Sequence, residues 1–328
     1  MRTWQINTLG DPWEVLEAAD LAPPQPGPGQ VRVRVAATDL NFADILQCQG
    51  RYQVKLDPPF TPGMTSAGVV TAVGPNAAFA VGDRLVGPTV NGSGGYAEEA
   101  LLIGELAQPV PADITLEQAA AGYVTHGTAW FALHLRGRLA PGETVLVLAG
   151  AGGVGAAAIQ LAKAHGCWVA AAAGGPEKTA VCKDLGADLV IDYNSEDLYE
   201  RVMAATDKRG VDVVYDPVGG DFFNVARRLV AWEGRLLVIG FASGDIPQAP
   251  MNHTLVKNYD IVGVHMGGYR GRNNEPLERC YAQLFEWMAA DRFEPLVSSK
   301  IGFAELPNGL LALSQRGTTG RVLFHPQR

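Results

Sequence analysis

The glycines at 150, 152 and 155 constrain the fold of this chain more than any other feature. They follow Val145–Ala149, a short apolar run that reads as a buried strand, and they precede Ala156–His165, which reads as a helix. In a Gly-x-Gly-x-x-Gly turn of this kind, the first glycine is expected to make the tight strand-to-helix turn. The second lets backbone N–H groups approach a pyrophosphate. The third lets helix and strand pack closely, so that the positive helix N-terminus faces the phosphates. Gly150, Ala151, Gly152, Gly153, Val154 and Gly155 are therefore candidate dinucleotide-binding residues. A flexible glycine-rich turn in a buried α/β layer is the plainer alternative, and the matching strand and helix flanks argue against it.

The next expected strand, Cys167–Ala173, bears on which dinucleotide. An NAD site usually carries Asp or Glu at this strand's end, about 20 residues past the motif, to hold the ribose hydroxyls. Here the strand runs into Gly174-Gly175, with no carboxylate at the tip to repel a 2′-phosphate. Lys178 supplies a counter-charge there or is simply a solvated lysine at a helix start. Tyr193, after the following strand, is placed to add a hydroxyl. The missing acid and the available cation favour NADPH over NADH.

With 328 residues the chain is long enough for two domains with real cores. A net charge of −8 is at odds with a nucleic-acid role, which needs basic patches. The four cysteines form no CxxC pair and suggest neither a disulfide framework nor a structural zinc lobe, which fits a reducing compartment. The N-terminal residues lack a secretory pattern. Residues 145–162 are apolar, but their closely spaced glycines and strand–turn–helix pattern indicate a buried core rather than a membrane span. A cytoplasmic enzyme with no membrane partner is the expectation.

Three regions differ in texture. Residues 1–122 are rich in Pro and Gly with short alternating runs. Val31–Val35 alternates strictly, Ser66–Val73 and Tyr96–Ile103 read as strands, and Asn41–Gln49 reads as a short helix. Residues 123–265 alternate strand and helix, with strands near 145–149, 167–173, 188–192, 211–215, 235–240 and 260–264 and helices such as Glu177–Leu185 and Phe222–Ala231. That pattern implies a parallel sheet with right-handed crossovers. Residues 266–328 hold two helices, about 276–290 and 306–315, and a final strand at 321–325. They are expected to return to the first domain. The fold class is α/β with an appended mostly-β domain.

Several short tags stand in order along the chain. They are Asn41-Phe42-Ala43-Asp44, Gly50-Arg51-Tyr52, Pro58–Gly63, Val81–Arg84, Gly94–Glu98, Ala149–Gly155, Asp216–Gly220 and Thr319–Val322. Together they resemble the zinc-independent quinone oxidoreductases of the medium-chain dehydrogenase/reductase superfamily, over essentially the whole chain. The resemblance implies a GroES-like catalytic domain, a Rossmann domain for NADPH, a cleft between them, and usually a homodimer formed through Rossmann sheet edges. An exposed edge at Asp260–Val264 suits that pairing. Zinc-dependent relatives place Cys where Asn41 stands, His-Glu where Met64-Thr65 stands and a third ligand near Val124. The residues present cannot form a tetrahedral Cys/His site, so no metal is expected.

A conjugated carbonyl such as a quinone or enone needs little polarisation beyond placement against the nicotinamide. Asn41 is the first choice for a polar group there, although it also suits a helix N-cap. Tyr52 resembles a substrate-pocket tyrosine; it stacks on a ring, donates a proton or caps a loop. Thr65 stands where relatives often carry Glu and joins the candidate catalytic set. The resemblance adds Thr128, near the start of an interdomain helix, as a nicotinamide contact. Val218, Gly240, Phe241, Ser243 and Met266 belong to the cofactor side, because ligands bind beyond the carboxyl ends of such strands. Arg316 and Arg321 either approach the cofactor phosphates or form surface salt bridges. His126 and His265 border the cleft or are packing residues. Two other activities compete with quinone reduction: an enoyl-thioester reductase with Tyr52 as proton donor, and a non-catalytic NADPH-binding protein.

Overall fold

The computed structural model describes all 328 residues. The chain divides into two compact units, residues 1–124 with 274–328, and residues 125–273. The return crossing lies between 273 and 274 rather than at 265/266. After the last parallel strand the chain makes a 3-10 turn, Met266–Tyr269, and a left-handed turn at Gly271, and only then starts the long helix Glu275–Ala289. Met266 and its turn therefore belong to the second unit.

That unit is a six-stranded parallel sheet: β1 (Thr144–Leu148), β2 (Trp168–Ala173), β3 (Leu189–Asp192), β4 (Val211–Asp216), β5 (Val230–Val238) and β6 (Asp260–Gly263). Their order across the sheet is β3-β2-β1-β4-β5-β6, the order of a dinucleotide-binding Rossmann sheet. The apolar strands β1, β2 and β4 are buried on both faces, as covered parallel sheets require. Helices α1 (Gly153–Ala164) and α2 (Pro176–Asp184) follow β1 and β2. The helix expected at 222–231 runs Gly220–Leu229, and β5 begins at once with Val230.

The first unit is built on a seven-stranded, mainly antiparallel sheet. Its spine is the strand Gln30–Asp39, where Val31, Val33 and Val35 are buried and Arg32 and Arg34 point away, the expected period of two. Thr65–Val73 and Glu99–Ile103 pair with it. The C-terminal strand Arg321–Phe324 joins the far end, with Leu323 opposite Asp39 and Phe324 opposite Thr38. A parallel neighbour, Val297–Ile301, was not expected; its exposed Ser298, Ser299 and Lys300 hide the strand pattern. No helix is long and apolar enough to cross a membrane.

Candidate functional site

In the second unit the glycine-rich turn is built by sterics. A Cβ on Gly155 would lie 2.2 Å from the Ala149 carbonyl oxygen, so only glycine lets α1 pack against the end of β1. Gly150 is hemmed in by Cys182 Sγ at 2.8 Å and Ala171 Cβ at 3.1 Å. The tight turn itself falls one residue early: Ala149, not Gly150, takes the left-handed conformation, at φ 50°. Gly152 is the residue before α1, and a Cβ there would meet only the Ala149 oxygen, at 3.3 Å. Its open face and the α1 N-terminus together make an anion-receptive corner.

At the end of β2, a Cβ on Gly174 would strike the Tyr193 ring at 2.8 Å. Tyr193 packs edge-on against Phe222 with ring centroids 4.8 Å apart. Lys178 sits half-buried in the first turn of α2. The tip of β2 carries no carboxylate, but the neighbouring strand brings one to this corner. Asp192, at the end of β3, accepts from the Gly175 N–H at 2.8 Å and the Asn194 N–H at 3.0 Å. Those bonds hold its carboxyl below the usual range. One oxygen is thus committed to shaping the turn. Strand β3 supplies this acid, so inspection of β2 alone missed it.

Beyond β4 and β5 two loops knit together. The buried Asp216 carboxylate accepts from the Val218 and Gly219 N–H groups at 2.8 and 2.9 Å, and burial raises its pKa. The Ser243 N–H donates to Val218 O, and the Ala242 N–H donates to Pro217 O. Val218, Gly240, Phe241 and Ser243 thus share one rim at the carboxyl ends of the strands. Met266 is buried just past β6. Thr128 lies in the last turn of helix Leu116–Trp130, not near its start, because the helix begins well before the expected domain boundary. His126 is a packing residue whose Nε2 lies 3.0 Å from Gln160 Oε1 on α1.

In the first unit, Asn41 precedes helix Phe42–Cys48. Asp44 closes the helix start by accepting from the Asn41 backbone N–H at 2.9 Å. It also accepts from the Met64 N–H at 3.1 Å and the Tyr96 hydroxyl at 2.8 Å. The Asn41 side chain turns away: its Nδ2 donates to Asp39 O at 3.1 Å, and its Oδ1 accepts from Arg321 Nη2 at 2.8 Å. Arg321 is itself buried, paired through Nε and Nη2 with Asp39 Oδ1. Its assignment to the cofactor phosphates, or to a surface salt bridge, is therefore corrected. Strand pairing with Thr38–Asp39 pulls Arg321 under the Asn41 helix. Burial pushes the Asp39 pKa up to about 7 against the pull of Arg321, and raises Asp44 to about 6. Arg316 is exposed in a left-handed turn after helix Leu306–Ser314.

Thr65 is buried at the start of its strand, next to the Met64 whose N–H binds Asp44. Tyr52 is half-buried, and its N–H donates to Leu46 O at the end of the Asn41 helix. Asn41 and Met64 thus bond one buried acid, and Thr65 follows Met64 in the chain. The residues that sequence reasoning missed are Asp39, Asp44 and Tyr96. Asp44 and Tyr96 stood inside quoted tags but carried no assigned chemistry. No group of three or more His, Cys, Asp or Glu side chains is arranged to hold a metal ion.

Two family descriptions match the chain: "Alcohol dehydrogenase GroES-like domain" over residues 27–112 and "Zinc-binding dehydrogenase" over residues 153–289. Quinone oxidoreductase-like protein 2 of Bos taurus is 39% identical, aligned over 94% of this chain and 88% of its own length. The chain belongs to the quinone oxidoreductase family of the medium-chain dehydrogenase/reductases. It is an oxidoreductase of that family, with a GroES-like unit and a Rossmann unit. The NADPH complex of Escherichia coli quinone oxidoreductase superposes with a TM-score of 0.90 at 29% identity, over 99% of this chain and 100% of that one. The Thermus thermophilus quinone oxidoreductase, also solved with NADPH, gives 0.84 at 34%, over 99% and 100%. A further relative is larger. At 33% identity, 98% of this chain aligns with 15% of a Mycobacterium bovis phthioceranic/hydroxyphthioceranic acid synthase.

Proposed function

We propose that the chain is an NADPH-dependent, zinc-independent reductase of quinones or related conjugated carbonyls. The observation that carries this reading is the amide of Asn41, held by a buried guanidinium where zinc-dependent relatives need a thiolate. A zinc ion does not fit that environment. The Asn41 oxygen already accepts from a cation 2.8 Å away, which would repel a second one. Met64 and Thr65 add no imidazole or carboxylate.

Lys178 and Tyr193 suit a 2′-phosphate, Gly152 and the α1 N-terminus suit the pyrophosphate, and the rim of Val218, Gly240, Phe241 and Ser243 suits the nicotinamide side. When bound, NADPH supplies a hydride, and a proton completes the two-electron reduction of the acceptor. Asn41 is the polar group placed at the nicotinamide or at the acceptor's carbonyl. Tyr52 forms a pocket wall or delivers the proton. The NADPH complexes of the E. coli and Thermus relatives support the cofactor assignment.

Chelator-treated protein should consume NADPH faster with a simple benzoquinone than with a short enoyl-CoA. The reverse order would make the chain an enoyl-thioester reductase with Tyr52 as proton donor. No turnover with either acceptor would leave a non-catalytic NADPH-binding protein.

A homodimer through the β6 edge is part of the proposal. β6 ends the sheet, and the helix Met251–Lys257 beside it leaves Met251, Leu255 and Val256 between 71% and 80% exposed. Gel filtration of Leu255→Glu should show a monomer if this surface pairs; an unchanged elution volume would place the contact elsewhere. Four free, buried cysteines suit a reducing compartment such as the cytoplasm.

A further inference from the structure

Tyr193 is held at its root, from beneath and from one side. At the root, the Tyr193 N–H donates to Ala173 O at 3.2 Å. The turn that follows is knotted on Asp192: the Asn194 N–H donates to Asp192 Oδ1 at 3.0 Å, and the Ser195 and Glu196 N–H groups donate to Asp192 O at 3.0 and 2.8 Å. Beneath the ring lies Gly174. A Cβ there would stand 2.8 Å from both Cε2 and the hydroxyl oxygen of Tyr193, so the phenol rests on bare backbone at the tip of β2. NAD sites of this fold extend their ribose-binding acid from that same tip. Beside the ring stands Phe222, edge-on, with centroids 4.8 Å apart and planes at 67°.

The turn and the glycine fix where the ring starts and how low it can lie. They leave it free to swing sideways, and Tyr193 is 36% exposed. Tyr193 and Phe222 share the wall of an open cleft of about 360 Å³, continued by Leu198, Tyr199, Val225 and Arg228. That cleft has room for a phenol ring, and truncating Phe222 would open it to Tyr193.

We propose that Phe222 is a positioning residue for cofactor choice: it keeps the Tyr193 hydroxyl over Gly174, where that hydroxyl meets a 2′-phosphate. This rests on the reading above, in which Tyr193 belongs to the 2′-phosphate corner. An edge-on ring pair favours one placement over its alternatives by about three- to tenfold. When the competent placement is only partly populated, the apparent affinity falls by that fraction. Phe222 therefore acts on the phosphate-bearing cofactor and not on its phosphate-free counterpart.

Phe222 reaches Tyr193 from a distant strand. Tyr193 follows β3 and Phe222 follows β4, and β2 and β1 lie between them in the sheet. Gly219 and Gly220, at φ 70° and 55°, turn the chain after β4 into helix Gly220–Leu229, whose third residue is Phe222. Asp216 holds that turn through the Val218 and Gly219 N–H groups. The loop beyond β4 thus also braces the corner for the 2′-phosphate.

The test is fluorescence titration of the purified protein with NADPH and with NADH. We expect Tyr193→Phe to raise the NADPH Kd about tenfold and Phe222→Ala to raise it about fivefold, with the NADH Kd within about twofold in both. In the Tyr193→Phe background Phe222→Ala should cost nothing further, because its effect passes through the hydroxyl. Gly174→Ala, which lifts the ring from beneath, should act like Phe222→Ala. Phe222→Tyr, which keeps a ring, should restore the parent's NADPH Kd. NADH is the control for folding, since a damaged unit weakens both cofactors alike.

If Tyr193→Phe weakens NADPH but Phe222→Ala does not, or if Phe222→Ala weakens both cofactors equally, Phe222 is only a packing residue and the inference fails. Losses that simply multiply, an unchanged Gly174→Ala, or no rescue by Phe222→Tyr would overturn it in the same way. If the parent binds NADPH no more tightly than NADH, or if Tyr193→Phe leaves the NADPH Kd unchanged, the reading of this corner fails and takes the inference with it.

Discussion

The two units solve the problem of holding a reactant by opposite means. Around Gly150, Gly152 and Gly155 the second unit offers backbone, and its only demand on side chains is their absence. Around Asn41 the first unit offers side chains, several of them charged and buried: Asp39, Asp44 and Arg321, with Tyr96. A backbone cradle is fixed by packing and is sensitive to volume. A buried ionic cluster is fixed by charge balance and is sensitive to the loss of one partner. The chain thus has one site that a methyl group can ruin and another that tolerates volume but not imbalance.

The largest effect should come from breaking that balance. Arg321→Met leaves Asp39 buried without its cation and should destabilise the first unit by about 3–5 kcal/mol, whereas the neutral double variant Asp39→Asn/Arg321→Met should stay within about 1–2 kcal/mol of the parent. Thermal melts of the two would show it; equal losses would mean that volume matters here as well. Next, Gly155→Ala forces a Cβ to within 2.2 Å of the Ala149 oxygen and should cost about 1–3 kcal/mol and most NADPH binding. Gly152→Ala, with 3.3 Å of room, should fold normally. Fluorescence titration with NADPH distinguishes them, and similar losses of fold would erase the contrast.

A third effect is pH-dependent. Asp39 and Asp44 bind protons more tightly when folded, with pKa values near 7 and 6 against 3.8 for the ordinary carboxyl. Between about pH 4 and 7 the folded chain therefore holds more protons than the unfolded chain. Its stability should fall as pH rises through that window and level off above it. Urea midpoints of the first unit at pH 5 and pH 8 would reveal the slope, and Asp39→Asn should flatten it. In the second unit Asp216, also raised by burial, adds to this slope, whereas His134, lowered by burial to about 4, opposes it. The smallest effect is at Lys178. Lys178→Ala should weaken NADPH by about tenfold and leave NADH nearly unchanged, because a partly solvated cation contributes about 1–1.5 kcal/mol to a phosphate. Equal losses with both cofactors would remove Lys178 from the 2′-phosphate.

What could be read from the sequence follows the same division. The glycine turn is local: strand, glycines and helix are consecutive, and the alternation of strands and helices after it carried the Rossmann sheet. Val31–Val35 carried the spine of the first unit. The exceptions were local accidents, such as the left-handed residue falling on Ala149 or Asp192 reaching across from the neighbouring strand. The cluster around Asn41 was only half visible. Asn41 stood out by resemblance, but Asp39 looked like the end of a strand and Arg321 like a surface cation near the C-terminus. Nothing within a few residues of either signals the other; only the register of Leu323 against Asp39 does.

That register has a consequence for how the molecule is made. Asp39 emerges from the ribosome 282 residues before Arg321. Throughout synthesis the spine of the first sheet lacks its last neighbour, and the acid at its tip lacks a cation. The Rossmann unit, continuous from 125 to 273, can close while the first unit waits. A nascent chain stalled short of Arg321 would carry a finished cradle for the nucleotide and an Asn41 still without its guanidinium partner.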